Sequence, residues 1–572
     1  MAVRSEDLPK RSLVSALAVY GERRIAIMLA LGFSAGLPFL LIFDTLSAWL
    51  RDSGLSLEVI GFFSLATLVY SFKFLWAPLI DRAHVPGLTA WLGHRRSWML
   101  VCQVLITIGL LLVAGSDPTV SIARMAMFAV FVGFSSATQD VVIDAWRIEA
   151  ADVNKQGAMA AAYQWGYRIA MITAGAAPLL LAETYSWNFS YAVMAALMGV
   201  GMGAVLFAPR ETQHVIRPIP DEGLRANPAL ETAEWVLRLA ILAFGALLLG
   251  SGLSANASLL GNISSGLGLD GAALIAAWRG SNGVWYQLLG VLAGFSVIIV
   301  ATMPLPGIRT RPGLYLGAAL GDPLKDFFTR YRGTAALILA LICTYRLSDF
   351  VLNIMNPFYL DLGFTLTEVA EVRKIFGVVA SMLGVFAGGL AIAGLGLMPA
   401  LLIGAFAGPL SNLVFVWLAM QGHDLPALFV AIGIDNVGSG FSGTCLIAYM
   451  SSLTAQGFTA TQYALFSSLY ALPGRLIASQ SGRFVEGAAQ SADAGGVFSG
   501  FSALFSGLPP ESFAAAIQKS GVSAASLGAG YTAFFLYSAL IGIFAVVLTI
   551  IAAARHRQSM RDASVNPSEA RS

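Results

Sequence analysis

Charge is scarce in this chain. Lys, Arg, Asp and Glu together make up 12% of 572 residues, about half of the roughly 25% usual in soluble domains. Their near balance leaves a formal net charge of +2. The cations are dispersed and form no run or stripe, which excludes an electrostatic nucleic-acid surface. Three cysteines, Cys102, Cys343 and Cys445, stand alone in apolar segments, so neither a disulfide framework nor a metal site is expected. The five histidines, His84, His94, His214, His423 and His556, fall in predicted loops or tails. HExxH, GxSxG and Walker patterns are all missing. An enzyme is not expected, and neither is any cofactor.

What fills the chain is hydrocarbon. Hydrophobic residues make up 57%, and runs near the ~20 residues that cross a bilayer recur from Ile25 to Ala553. Spans are predicted at 25–49, 57–80, 98–114, 125–146, 159–181 and 187–207, and again at 334–360, 375–393, 401–419, 428–450, 460–484 and 531–553. Two more runs, 235–253 and 284–303, lie between the sets. The expectation is therefore an all-α integral membrane protein of about fourteen spans. It divides into an N-terminal segment (1–24), a six-helix bundle (25–210), a linker with two additional helices (211–333), a second bundle (334–555) and a tail (556–572). No cleavable signal is expected, because the polar start leads into a run of full span length.

Alternate loops hold the cations, among them Arg82, Arg95, Arg96, Arg147, Arg210, Arg309, Lys325 and Arg555. The positive-inside rule then puts both termini in the cytoplasm. It leaves segment 486–530 outside, where its weak polarity and lack of a clear helical face suggest a flexible loop.

The halves echo each other. WLRDSGLSLEVIG, closing the first span, resembles FYLDLGFTLTEVAEV, and Arg168-Ile-Ala matches Arg475-Leu-Ile-Ala in the fifth span of each set. Parallel six-helix repeats with a cavity between them describe the major facilitator architecture. KFLWAPLIDR followed by LGHRRSW resembles the loop signature of that superfamily, with an insertion separating Asp81 and Arg82 from Gly93, Arg95 and Arg96. That insertion, with SAGLP (Ser34 to Pro38), SSATQDVVIDAWRIE and FTATQYALFSSLYALPGR, resembles the AmpG-type muropeptide permease family, some members of which carry two extra central helices.

The resemblance implies a monomeric, multi-pass transporter in the inner membrane of a Gram-negative bacterium, with no partner beyond lipid and substrate. It implies import of anhydromuropeptides (GlcNAc-anhydroMurNAc-peptides) for cell-wall recycling, driven by the proton gradient and tied to β-lactam resistance. A carrier of another solute such as acetyl-CoA, or a non-transporting muropeptide sensor, is the alternative.

Ionised groups at bilayer depth are costly and mark pathways. Asp140 and Asp144, one turn apart, are candidate proton carriers, with Gln139 beside them as a substrate contact. Asp144 has a second reading, closing a gate with Arg147 or Arg82. Arg346 and Asp349 can pair at i, i+3, or open to take substrate or a proton. Asn353 and Asn356 extend the same polar face. Arg168 and Arg475 suit a carboxylate, although Arg475 can instead satisfy carbonyls freed near Pro473. Tyr163, Gln164 and Tyr167 offer aromatic and polar contacts for sugar rings, with Lys73 and Trp76 as further candidates. Asp435 and Asn436 lie mid-span among glycines suited to packing. Gly36 and Pro38 are expected to shape helix packing. Asp81, Arg82, Arg95, Arg96 and Arg147 are expected to form a gate against the inner end of the fourth span.

Overall fold

The computed structural model describes residues 21–53, 70, 73–152, 155–211, 227–253, 256–280, 283–303, 310–478, 481–508, 512–514, 517 and 521–565. Most of the predicted second span lies outside these residues. Among the described residues there is no strand, and eleven helices are long and apolar enough to cross a membrane.

The first half contains α1 (Arg23–Ile42), α2 (His94–Ala114), α3 (Ile122–Ala150), α4 (Gln156–Thr184), α5 (Trp187–Leu197) and α6 (Gly199–Phe207). Then come the added pair, α7 (Pro228–Leu253) and α8 (Gly283–Thr302). The second half holds α9 (Ala335–Thr344), α10 (Leu347–Val351), α11 (Met355–Asp361), α12 (Gly377–Leu395), α13 (Leu397–Asn412), α14 (Val414–Gln421), α15 (Leu425–Ser452), α16 (Thr459–Ala478), α17 (Ser481–Asp493) and α18 (Ala524–Val565).

Helix α4 is less apolar than the eleven, yet its 29 residues reach about 43 Å at ~1.5 Å per residue. It packs along α1 on one side and against α12 and α15 of the other half on the other. The α1 contact depends on missing side chains. A Cβ on Gly166 would stand 1.9 Å from the Leu29 carbonyl oxygen, and one on Gly36 would stand 2.6 Å from that of Tyr167. Gly36 thus packs as expected from its motif, with Pro38 inside the same helix. Close backbone approach through small residues is the usual basis of helix association in lipid, where burial of apolar surface gains little.

The predicted span 334–360 is broken into α9, α10, a 3₁₀ turn (Leu352–Ile354) and α11. Pro357 explains the turn, because its ring has no N–H and excludes the carbonyl four residues back. Arg346 stands at the N-terminal boundary of the short helix α10, and Asp349 lies within it.

The described residues of segment 486–530 are largely helical and not the flexible loop expected. Helix α17 continues to Asp493, a 3₁₀ helix spans Ser499–Phe505, and α18 is already formed at Ala524. Val485, Ala488, Ala489 and Ala492 are buried and pack on α18. Their spacing is helical, but alanines are too small to stand out as an apolar face.

The added helices pack on each other. Leu249, Val291 and Ile298 form a buried cluster that meets Leu75 of the first half and Leu469 of the second. Glu234 and Arg238 form a buried ion pair at 2.7 Å, and Arg238 also donates to the carbonyls of Ala301 and Met303 at the end of α8.

Candidate functional site: a charged cavity and a sealed seam between the halves

The sealed end is built around Arg95, which is fully buried. It lies between two carboxylates, donating to Asp81 Oδ1 at 2.7 Å and to Glu149 at 2.7 and 3.1 Å. A buried arginine with matched acceptors on both sides avoids the penalty of an unpaired charge. Asp81 then reaches into the other half. Its oxygens accept the backbone amides of Ala460 (3.1 Å) and Thr461 (2.9 Å) and the Thr461 hydroxyl (2.6 Å), so it caps the N-terminus of α16, where the helix dipole favours an anion.

Arg147 makes a second cross-link. It pairs with Asp144 at 3.1 Å, donates to Ser451 Oγ of α15 at 2.9 Å and lies over the Tyr463 ring at 5.2 Å. Arg82 donates to the Ala318 carbonyl at 2.5 Å, which ties the first half to the linker. The linker's Asp322–Arg330 helix holds Gln462 of α16 through Asp326 and Arg330.

Two expectations for this end need correction. Arg96 does not bridge the halves. It donates to the carbonyls of Val205 and Leu206, and so satisfies the free carbonyls that end α6. His94 is not in a loop: it starts α2, is buried, and lies 2.7 Å from the Ile80 carbonyl through Nε2.

Further along α4 the halves still touch. Gln164 donates to Thr444 at 2.9 Å, and Trp165 donates to the Met382 carbonyl at 2.8 Å. A cavity of about 330 Å³ opens within the second half, lined by Arg346, Asp349, Tyr359, Arg373, Asp435, Asn436, Ser439 and Tyr470 with Phe350, Leu352 and Met355. Arg346 pairs with Asp349 at 2.7 Å and donates to Ser439 at 2.6 Å. Arg373 is bonded to Asn356. Arg168 approaches from α4 within electrostatic range of Arg346 and forms no ion pair among the described residues.

In the first half Asp140 is buried, and its Oδ1 has no hydrogen-bond partner among the described residues. Lys73, Asp144 and Tyr163 all act on its charge. Tyr163 and Tyr167 lie 6.0 Å apart and both face that carboxyl.

Other predicted residues fall elsewhere. Gln139 turns into the first bundle, where Ser34 donates to it at 3.4 Å, because α3 is buried on every side at this level and Gln139 lies off the Asp140 face. Trp76 is also turned away, donating to Thr138 at 3.0 Å with its ring on Phe134. Gln164 is spent on Thr444 in this state. The side chains of Asn353 and Arg475 lie outside the described residues.

Glu149, Ser451, Thr461, Tyr463, Arg373 and Tyr470 were not singled out from sequence. Three of them sit in FTATQYALFSSLYALPGR, where two hydroxyls in the first turn of a helix were a readable capping signal.

Two helical halves cross-linked by buried charges at one end, with a charged mid-membrane cavity in the second half, define a transporter of the major facilitator class. A family profile described as acetyl-coenzyme A transporter 1 matches residues 24–175. The chain is 30% identical over 473 residues to the anhydromuropeptide permease of Escherichia coli K12, covering 82% of this chain and 76% of that one. It is 29% identical over 470 residues to putative transporter AmpG 4 of Rickettsia felis, covering 82% and 91%. Among solved structures it is similar to the human organic anion transporter MFSD10, with TM-score 0.45 and 15% identity over 95% of this chain and all of that one. The chain belongs to the AmpG anhydromuropeptide permease family.

Proposed function

We propose that this protein imports anhydromuropeptides from periplasm to cytoplasm by proton symport, the two halves rocking about the cavity so that it opens to one side at a time. The observation that carries the reading is the Arg168 guanidinium, which forms no ion pair among the described residues and lies within electrostatic range of Arg346, on a cavity whose own arginines are engaged with Asp349 and Asn356. An unpaired cation at this depth is costly, and a ligand carboxylate relieves it through two parallel hydrogen bonds. Tyr163 and Tyr167 present ring faces to sugar C–H surfaces. Asp140, whose Oδ1 has no hydrogen-bond partner among the described residues and which lies within electrostatic range of Lys73, is the proposed proton carrier.

The positive-inside rule assigns the Arg95 and Arg147 end to the cytoplasm, which makes this arrangement the outward-facing one, in an inner membrane. Several phosphates, as in acetyl-CoA, would need more free cations than Arg168 supplies among the described residues. That favours the muropeptide over the solute named by the profile on the first half.

Uptake of labelled GlcNAc-anhydroMurNAc-peptide into proteoliposomes, with and without an inward proton gradient, tests the reading, with acetyl-CoA as the competing solute. Gradient-dependent muropeptide uptake is expected. Uptake of acetyl-CoA in its place would overturn the substrate, and muropeptide uptake indifferent to the gradient would overturn symport. Arg168→Ala is expected to abolish uptake with folding intact, and Arg168→Lys to restore little of it, since an ammonium lacks the planar fork.

A further inference from the structure

The linker reaches the sealed end as an amphipathic helix whose apolar side is only partly covered. In the Asp322–Arg330 helix, Pro323 and Phe327 are buried. The Phe327 ring meets Phe466 of α16 edge-on at 5.3 Å and lies 5.1 Å from Tyr331. Gln462 of α16 donates to the Pro323 carbonyl at 2.9 Å and to Asp326 at 3.1 Å, which fixes the helix against the second half. Leu324 and Phe328, one turn apart, lie on the flank of this contact and remain 38% and 49% exposed.

The charges around that flank are unbalanced. Lys325 and Arg332 are exposed and form no ion pair among the described residues. Arg555 of α18 adds a third cation, donating to the Gly333 carbonyl beside Arg332 at 3.0 Å. Of the helix's own acids, Asp326 is spent on Arg330 at 2.8 Å, which leaves Asp322 against three cations. The depth of the patch follows from its neighbours. One membrane span begins at Ala335, just past the helix, and the span of α18 ends at Arg555, so this patch sits where hydrocarbon gives way to headgroups.

We propose that the linker helix docks on the bilayer surface at the sealed end, Leu324 and Phe328 entering the interface while Lys325, Arg332 and Arg555 take anionic phospholipid headgroups. Apolar side chains flanked by lysine and arginine are what that boundary selects, and the long cationic side chains can lie along it with their charges in the headgroups. Gln462 directly follows Thr461, the partner of Asp81, so the docked surface lies beside the seal between the halves. The docking does not depend on what the cavity carries.

The test puts a nitroxide label at Phe328→Cys of the full chain, one apolar side chain replacing another, with the half-buried Cys343 changed to Ser. Collisions of the label with oxygen, which concentrates in hydrocarbon, and with a neutral nickel chelate, which stays in water, are measured in nanodiscs. The discs contain phosphatidylcholine alone or phosphatidylcholine and phosphatidylglycerol in equal parts. Each cation near an anionic surface shifts the equilibrium roughly fivefold, so phosphatidylglycerol should shield the label from the chelate and raise its collisions with oxygen. Lys325→Gln combined with Arg332→Gln should remove roughly 25-fold of that preference and make the two membranes nearly alike. An unchanged melting temperature in phosphatidylcholine shows that this variant folds.

Equal chelate access in both membranes overturns the docking, and equal shielding in both overturns the need for anionic headgroups; neither result requires the charge variant. A lipid preference that survives in the folded charge variant overturns the assignment to Lys325 and Arg332. No substrate is added, so each of these failures leaves the transport reading standing.

Discussion

Thr461 gives both its backbone amide and its hydroxyl to Asp81, at 2.9 and 2.6 Å, across 380 residues of sequence. A carboxylate of the first half thereby caps a helix of the second, and the cap exists only while the halves are together at this end. Asp81→Asn keeps the shape but removes the charge and turns one acceptor into a donor facing donors. Loss of hydrogen bonds to a charged group costs about 1.5–3 kcal/mol, all of it from the closed state. Spin labels placed across this end should show a larger separated population in Asp81→Asn, and an unchanged distance distribution would mean that the cap does not hold the gate.

Arg95 and Arg96 are neighbours with different work. Arg95→Ala strands two buried carboxylates, a change that costs about 3–5 kcal/mol when one partner of a buried pair is removed. Arg96→Ala frees only two helix-end carbonyls, worth about 1–3 kcal/mol. Thermal unfolding in detergent should show the much larger loss for Arg95→Ala. Equal losses would mean that the ion pairs to Asp81 and Glu149 add nothing to stability.

Asp140→Asn mimics a carboxyl that never releases its proton. Concentrative uptake should fall to background while exchange of substrate across equal gradients continues. Accumulation by this variant would move the coupling site to another carboxylate, with Asp349 next in line.

Gly166→Ala tests the α1–α4 contact. Its new methyl would stand 1.9 Å from the Leu29 carbonyl oxygen, so backbone must move. Overpacking of this kind costs about 1–3 kcal/mol, and the shift would carry Tyr163, Tyr167 and Arg168 with it. Both the melting temperature and substrate affinity should drop. A variant that melts lower but binds normally would show that the aromatic pair is positioned by something other than α1.

The spans were readable because length and hydropathy suffice for a membrane helix, and Asp81, Asp140, Arg168 and Arg346 stood out because charge is rare there. Rotation about a helix axis was harder. Gln139 is adjacent to Asp140 yet faces the bundle interior, and no amphipathic contrast along α3 announced which face was wet. The far side of the gate was hidden for another reason. Ser451 and Thr461 are ordinary hydroxyl residues whose meaning depends on partners more than 300 positions away. Helix α17 escaped notice because its packing face is mostly alanine.

The added pair α7 and α8 touches the seam between the halves through side chains such as Val291 and Ile298 against Leu75 and Leu469. Hydrocarbon sliding on hydrocarbon breaks no directional bond. Near α4 the same relative movement must part Gln164 from Thr444 and Trp165 from Met382. The molecule therefore has a bearing on one flank and a clasp on the other, and the extra helices cover the joint between the halves without stiffening it.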